Sequence, residues 1–192
     1  MKKLLFVVAF AAAAVSVKAQ DEDAKPLKFS IGVDAALPMG DFIVSDAGKF
    51  SDYYSLGLGG SIQAAYALDS DLGLTFGVGY MSYMPKSFGG EKFPSLGVIP
   101  IQAGIEYNFT PQFFASAQLG YNIYTGKLLS DDGFGDGVKM SGFSYAPGIG
   151  YRFTENFSAQ LRYQGASVKL KADGESESGN LSQIGLRVAY SF

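Results

Sequence analysis

From Lys28 onward, apolar and polar residues alternate with a period of two. In "KFSIGVDAAL" Phe29, Ile31, Val33, Ala35 and Leu37 share one face, and Ser30, Gly32, Asp34 and Ala36 share the other. That period is the signature of a strand with two unlike faces. The same alternation returns in "SLGLGGSIQAAYAL", "LGLTFGVGYMSY", "SLGVIPIQAGIEYNF", "FFASAQLGYNIYT", "GFSYAPGIGYRF", "FSAQLRYQG" and the ending "IGLRVAYSF". The pattern predicts eight strands.

The connections alternate in length. Short turns at "DSD", "TPQ" and "TEN" separate longer loops around 38–54, 85–94, 126–141 and 171–180. Short turns on one rim and long loops on the other predict an all-β, eight-stranded antiparallel up-and-down barrel that crosses a membrane. The charges within the strands are Asp34, Glu106, Arg152, Arg162 and Arg187, and all lie on the face opposite the aromatics. A water-soluble barrel would carry its charges outward. Polar-in and apolar-out is the reading that fits, and closure removes the unpaired strand edges that lipid does not tolerate.

Three details bear on the strand walls. Aromatics gather beside the short turns, among them Tyr66, Tyr107, Phe109, Phe113, Tyr151, Phe153, Phe157, Tyr190 and Phe192, as a girdle at a membrane interface would. Pro100 and Pro147 fall inside strands and remove ladder donors, so a bulge or local break is expected near each. After Gly165 the apolar residues Val168 and Leu170 change parity, and a bulge is expected to return them to the outer face.

The ends set the compartment. "MKKLLFVVAFAAAAVSVKAQ" has two lysines, an apolar run and a small-residue site, which predicts a secretory signal peptide over 1–19 and a barrel domain over 20–192. With no Cys, neither a lipid-anchored cysteine nor a disulfide is expected. A net charge of −3 offers no nucleic-acid footprint. The 25 Gly, 16 Phe and 12 Tyr suit strands facing lipid.

On the alternating strands, "IPIQAGIEYNFTPQFF" and the terminal "VAYSF", the chain resembles the small outer-membrane β-barrel proteins of Gram-negative bacteria, the OmpA/OmpX-like group, in its Bacteroidetes-type versions. The resemblance spans about Lys28 to Phe192. It implies Sec-dependent export, periplasmic chaperones, termini on the periplasmic side and long loops outside. It also implies that the barrel-assembly machinery reads Tyr190 and Phe192 as an assembly signal.

Candidate chemistry is sparse. An eight-stranded barrel is just wide enough for side chains to fill. Asp34, Glu106, Arg152, Arg162 and Arg187 are expected to form a lumen charge network, with Asp34 near Arg187 and Glu106 near Arg152 or another lumen Arg. Without His or Cys, Ser–His and Asp–His catalysis and the usual zinc sites are out of reach. No enzymatic activity, metal or cofactor is expected. The run Asp131, Asp132, Asp136 lacks the ligand ladder of a calcium loop. In the first long loop Phe42, Ile43, Val44, Tyr53 and Tyr54 either contact a surface partner or pack over the barrel mouth. Lys169 and Lys171 lie near the outer rim, within reach of lipopolysaccharide phosphates. The expected role of the monomeric barrel is structural or surface-interacting. A narrow porin-like channel and a soluble periplasmic lipocalin-like barrel are the alternatives.

Overall fold

The computed structural model of the protein describes residues 27–40, 48–88, 91–129, 139–172 and 175–192. The elements run β1 (Leu27–Met39), α1 (Phe50–Tyr53), β2 (Tyr54–Ala67), β3 (Leu72–Pro85), β4 (Ser87–Phe88), β5 (Glu91–Lys92), β6 (Leu96–Asn108), β7 (Phe113–Thr125), β8 (Lys139–Arg152), β9 (Phe157–Ala172) and β10 (Glu175–Ser191). Eight of the strands close into a barrel in the order β1-β10-β9-β8-β7-β6-β3-β2, with every neighbour antiparallel. β4 and β5 form a separate small hairpin.

Alternation decides which side chains meet lipid. Ile31, Val33, Leu74, Phe76, Leu119, Ile149, Leu161 and Val188 all stand exposed on the outer wall. Their inward neighbours Asp34, Thr75, Gln118, Gln160, Arg162 and Arg187 are buried in the lumen. In water this arrangement would strand both sets; in a bilayer it satisfies both.

Each short turn is built by the side chain that opens it. The Asp69 carboxylate accepts the N–H groups of Asp71 (2.8 Å) and Leu72 (2.7 Å). Thr110 Oγ1 accepts those of Gln112 and Phe113, and Thr154 Oγ1 those of Asn156 and Phe157. This local bonding fixes the hairpin register without a glycine. Around these turns the rings interlock edge to face: Tyr107 with Phe109, Phe113 with Tyr151, Tyr151 with Phe153, and Phe157 with Tyr190.

The prolines produce breaks rather than bulges. Pro100 keeps its place opposite Asn122 of β7, while pairing with β3 lapses between Val78–Ile101 and Met81–Val98. Pro147 pairs with Ala117, while the β8–β9 ladder lapses between Tyr145–Gly165 and Gly148–Arg162. Register is the same on both sides of each lapse. The irregularity the sequence did not announce lies in β2–β3, where register shifts between Tyr54 and Gly57.

The expected bulge after Gly165 is absent. β9 keeps one register with β10 from Phe157 to Ala172. Val168 and Leu170 therefore point into the lumen, where both are buried. They belong to an apolar section of the interior with Met81, Tyr83, Leu96, Val98, Tyr124, Met140 and Leu181. The lumen thus has two halves: polar toward the short turns, apolar toward the long loops.

Candidate functional site

The lumen charges form two ion pairs at different depths. Near the short-turn end, Arg152 of β8 pairs with Glu106 of β6 and donates to Asn108 Oδ1 at 2.8 Å. Its guanidinium carbon lies 4.5 Å from the centre of the Phe114 ring. That ring occupies the space above Gly150, where a Cβ would come within 2.1 Å of it. Glycine is required there so that Phe114 can support the arginine.

Deeper in, Asp34 of β1 pairs with Arg162 of β9 at 2.5 Å, with side chains only 5% and 7% exposed. Ser61 Oγ donates to the other Asp34 oxygen at 2.6 Å and accepts from Arg187 Nε at 2.9 Å. Arg187 also donates to Ser30 Oγ at 3.0 Å. Asp34 and Arg187 are opposite one another in the β1–β10 register. The carboxylate nevertheless goes to Arg162, and Arg187 reaches it only through the Ser61 hydroxyl. The cause is local: Arg187 lies against Gly32, where a Cβ would stand 2.8 Å from its Nε. The side chain runs toward Ser30 and Ser61 instead of standing beside Asp34.

Amides fill the next layers. Gln118 Nε2 donates toward Gln63 and Thr75, Arg162 donates to Gln118 Oε1, and Gln160 Nε2 donates to Ser116 Oγ at 2.6 Å. Above them the Tyr83 hydroxyl donates to Gln183, and Gln183 donates to Gln164, so a belt crosses the lumen. Asn122 Oδ1, Ser144 Oγ and Arg162 Nε are buried without a protein partner. All three residues line one small cavity of about 40 Å³ beside the Pro100 lapse.

Toward the long loops, the described residues fill the lumen. Phe50 of α1 and Tyr54 at the start of β2 are 1% and 0% exposed. Their rings pack edge-on against Tyr83, and Tyr54 against Phe93. The Tyr54 hydroxyl donates to Pro94 O at 2.8 Å, Phe50 N–H to Gly40 O at 3.0 Å, and Lys86 Nζ to Ser51 O at 2.6 Å. Of the two courses expected for Tyr54, contact with a surface partner or packing over the barrel mouth, the buried ring takes the second, which excludes it as a surface contact. Tyr53 is half-buried against Phe93 at 4.7 Å. Phe42, Ile43 and Val44, and the acidic run at 131–136, lie outside the described residues.

The short-turn end is open. A vestibule of about 590 Å³ is lined by Lys28, Ser30, Glu106, Arg152 and Arg187, with Asp69, Asp71 and Glu155 on the turns around it. Beside it the chain end is seated firmly: Phe192 N–H donates to Phe29 O at 2.8 Å, and Asn156 Nδ2 donates to Ser191 O at 2.7 Å. Phe192 and Tyr190 lie edge to face on the outer wall.

Sequence reasoning put the five charges on the inward face and left Glu106 to Arg152 or another lumen Arg, of which the structure takes Arg152; it put Asp34 beside Arg187, whereas the ion pair forms with Arg162. It missed the apolar lumen section and the Tyr83–Gln183 belt. The signal was present: in "YMSYMP" Met81 and Tyr83 alternate out of phase with Phe76, Val78 and Tyr80. Both faces of β3 turn apolar at its loop end.

Solved structures share this architecture. Ail, the attachment invasion locus protein of Yersinia pestis, in complex with the heparin analogue sucrose octasulfate, is 15% identical with a TM-score of 0.54, over 86% of this chain and 97% of that one. Neisserial surface protein A is 19% identical with a TM-score of 0.53, over 85% and 97%. The N-terminal β-barrel domain of Pseudomonas aeruginosa OprF is 20% identical with a TM-score of 0.51, over 86% and 97%. No curated protein matches the chain. The family described as "Outer membrane protein beta-barrel domain" matches residues 6–192, so the closed barrel with its lipid-facing wall belongs to that family.

Proposed function

We propose that the protein is a monomeric outer-membrane barrel with a closed lumen, acting as a structural or surface-interaction protein through its long loops. The observation that carries this reading is the apolar plug. Phe50, Tyr54, Tyr83, Leu96, Met140 and Val168 fill the long-loop half of the lumen. Burying each large apolar side chain contributes about 1.5–3 kcal/mol, so opening the plug would expose several such groups together. An ion would also have to cross a section that, among the described residues, is packed with these apolar side chains.

In this reading residues 1–19 direct export through the Sec pathway and are removed after Ala19. Periplasmic chaperones and the barrel-assembly machinery then deliver the chain as an OmpA/OmpX-like, Bacteroidetes-type barrel with its long loops outside. Lipopolysaccharide surrounds the outer rim, near the exposed Lys169. Tyr53 and the loop residues Phe42, Ile43 and Val44 remain the candidates for contact with a surface partner. The names of two structurally similar proteins, an attachment protein and a surface protein, suit the same class of role.

The test is permeability. The mature chain refolded into lipid vesicles should leave them tight to potassium and to small sugars, with insertion confirmed by heat-dependent migration on a gel. Leakage from the wild type would support the narrow channel instead, and would make Glu106 and Arg152 the residues to mutate. Failure to insert, with a stable soluble fold, would support the soluble binding barrel.

A further inference from the structure

The lumen charges do not balance. Asp34 and Glu106 are each claimed by one arginine, Arg162 and Arg152. That leaves Arg187 bonded only to the hydroxyls of Ser30 and Ser61, although it is just 5% exposed. A buried guanidinium that meets its carboxylate only through a hydroxyl is incompletely compensated, which is costly. Arg187 lines the open short-turn vestibule, and so does Lys28, which is in neither of the ion pairs among the described residues, although Glu106 is on the same wall. Two cations outside the two ion pairs, Arg187 and Lys28, therefore line one cavity of about 590 Å³, with the Glu106 carboxylate that Arg152 holds on the same wall.

We propose that this vestibule binds a small oxyanion of the phosphate class, held by Arg187 and Lys28 with Ser30 beside them. A tetrahedral oxyanion offers acceptors to a guanidinium and an ammonium at once, in charge-assisted bonds. Asp69, Asp71 and Glu155 on the surrounding turns oppose every anion and a long polyanion most, so binding rests on direct bonds to Arg187 and Lys28. The apolar plug closes the other end, so the site holds its anion rather than passing it on. With the long loops outside, the ligand is a solute of the periplasm.

Calorimetric titration of the refolded full-length mature protein in zwitterionic micelles tests this, with inorganic phosphate as the probe and ionic strength held by chloride. Saturable one-to-one binding is expected, weakened about ten-fold or more by Lys28→Gln and by Arg187→Gln. Lys28 is exposed, so its variant should fold even where Arg187→Gln does not; heat-dependent gel migration reports folding in both. No binding by the wild type, or unchanged affinity in Lys28→Gln, overturns the proposal. So does tighter binding of long-chain polyphosphate than of phosphate. Asp21, Glu22 and Asp23 precede Lys28 in the sequence and are carboxylates able to compete with a solute for it. Phosphate binding confined to a D21N/E22Q/D23N variant would overturn the solute as the natural ligand.

Discussion

The Asp34–Arg162 pair shows how one residue's neighbours redirect a charge. Because Gly32 lets Arg187 lie flat against β1, the deepest carboxylate is left to a strand that is not its neighbour in the barrel. Removing one member leaves the other buried and uncompensated, which costs about 3–5 kcal/mol, whereas replacing both with apolar groups of similar volume is often near neutral. Arg162→Met is therefore expected to destabilise the barrel strongly, and Asp34→Leu with Arg162→Met to recover only part of the loss, because Asp34 also serves Arg187 through Ser61. Urea unfolding in vesicles measures both. The small cavity beside this pair has a parallel expectation. Asn122 Oδ1 and Ser144 Oγ need donors, while Arg162 Nε needs an acceptor. Water supplies both, and about 40 Å³ holds roughly two or three molecules. Ordered waters bonded to these atoms should appear in a high-resolution crystal structure, and a dry cavity would contradict that assignment.

At the scale of a strand, β9 reads as three sections along one unbroken alternation. Its outward residues pass from Phe157, Leu161 and Tyr163 to Gly165, then to Ser167 and Lys169. The outer wall is thus lipid-like below Gly165 and water-like above it, while the inward face changes from Gln160 and Arg162 to Val168 and Leu170. Leu161→Arg is expected to cost about 2–4 kcal/mol, as arginine does at a bilayer midplane, and Ser167→Arg almost nothing. Comparing the two in the same unfolding assay locates the upper edge of the hydrocarbon. The inversion also explains why the bulge expected after Gly165 fails. A parity switch in hydrophobicity marks either a shifted backbone or a changed environment, and alternation alone does not separate them. Strand number, turn positions and the inward charges were legible because each depends on the local period and local turn chemistry. The Asp34–Arg162 pairing and the plug were not, because they depend on how long side chains from distant strands share one narrow lumen. The choice for Tyr54 between a surface contact and the barrel mouth was open for the same reason: its loop-like neighbours do not show a ring that packs inward on Phe50, Tyr83 and Phe93.

For the whole molecule, closure brings the first strand against the last, and the chain end carries that seam. β1 pairs with β10 from Ser30–Ser191 to Met39–Ser182. Phe192 adds one further backbone bond, to Phe29, and its ring joins Tyr190 in the aromatic girdle. The ring is 54% exposed on the outer wall, so its packing within the protein is slight. A terminal aromatic that mattered only for stability would therefore be a weak contributor. If Tyr190 and Phe192 also serve as the signal that assembly machinery reads, the two effects separate by experiment. Deleting Phe192 should leave spontaneous refolding into vesicles nearly unchanged, with heat-dependent gel migration retained. In cells the same deletion should sharply lower the amount of folded barrel in the outer membrane and leave unassembled chain in the periplasm. Equal loss in both settings would assign Phe192 to the seam alone. No loss in either would mean that the alternation of Ile184, Leu186, Val188 and Tyr190 is sufficient both to close the barrel and to be recognised.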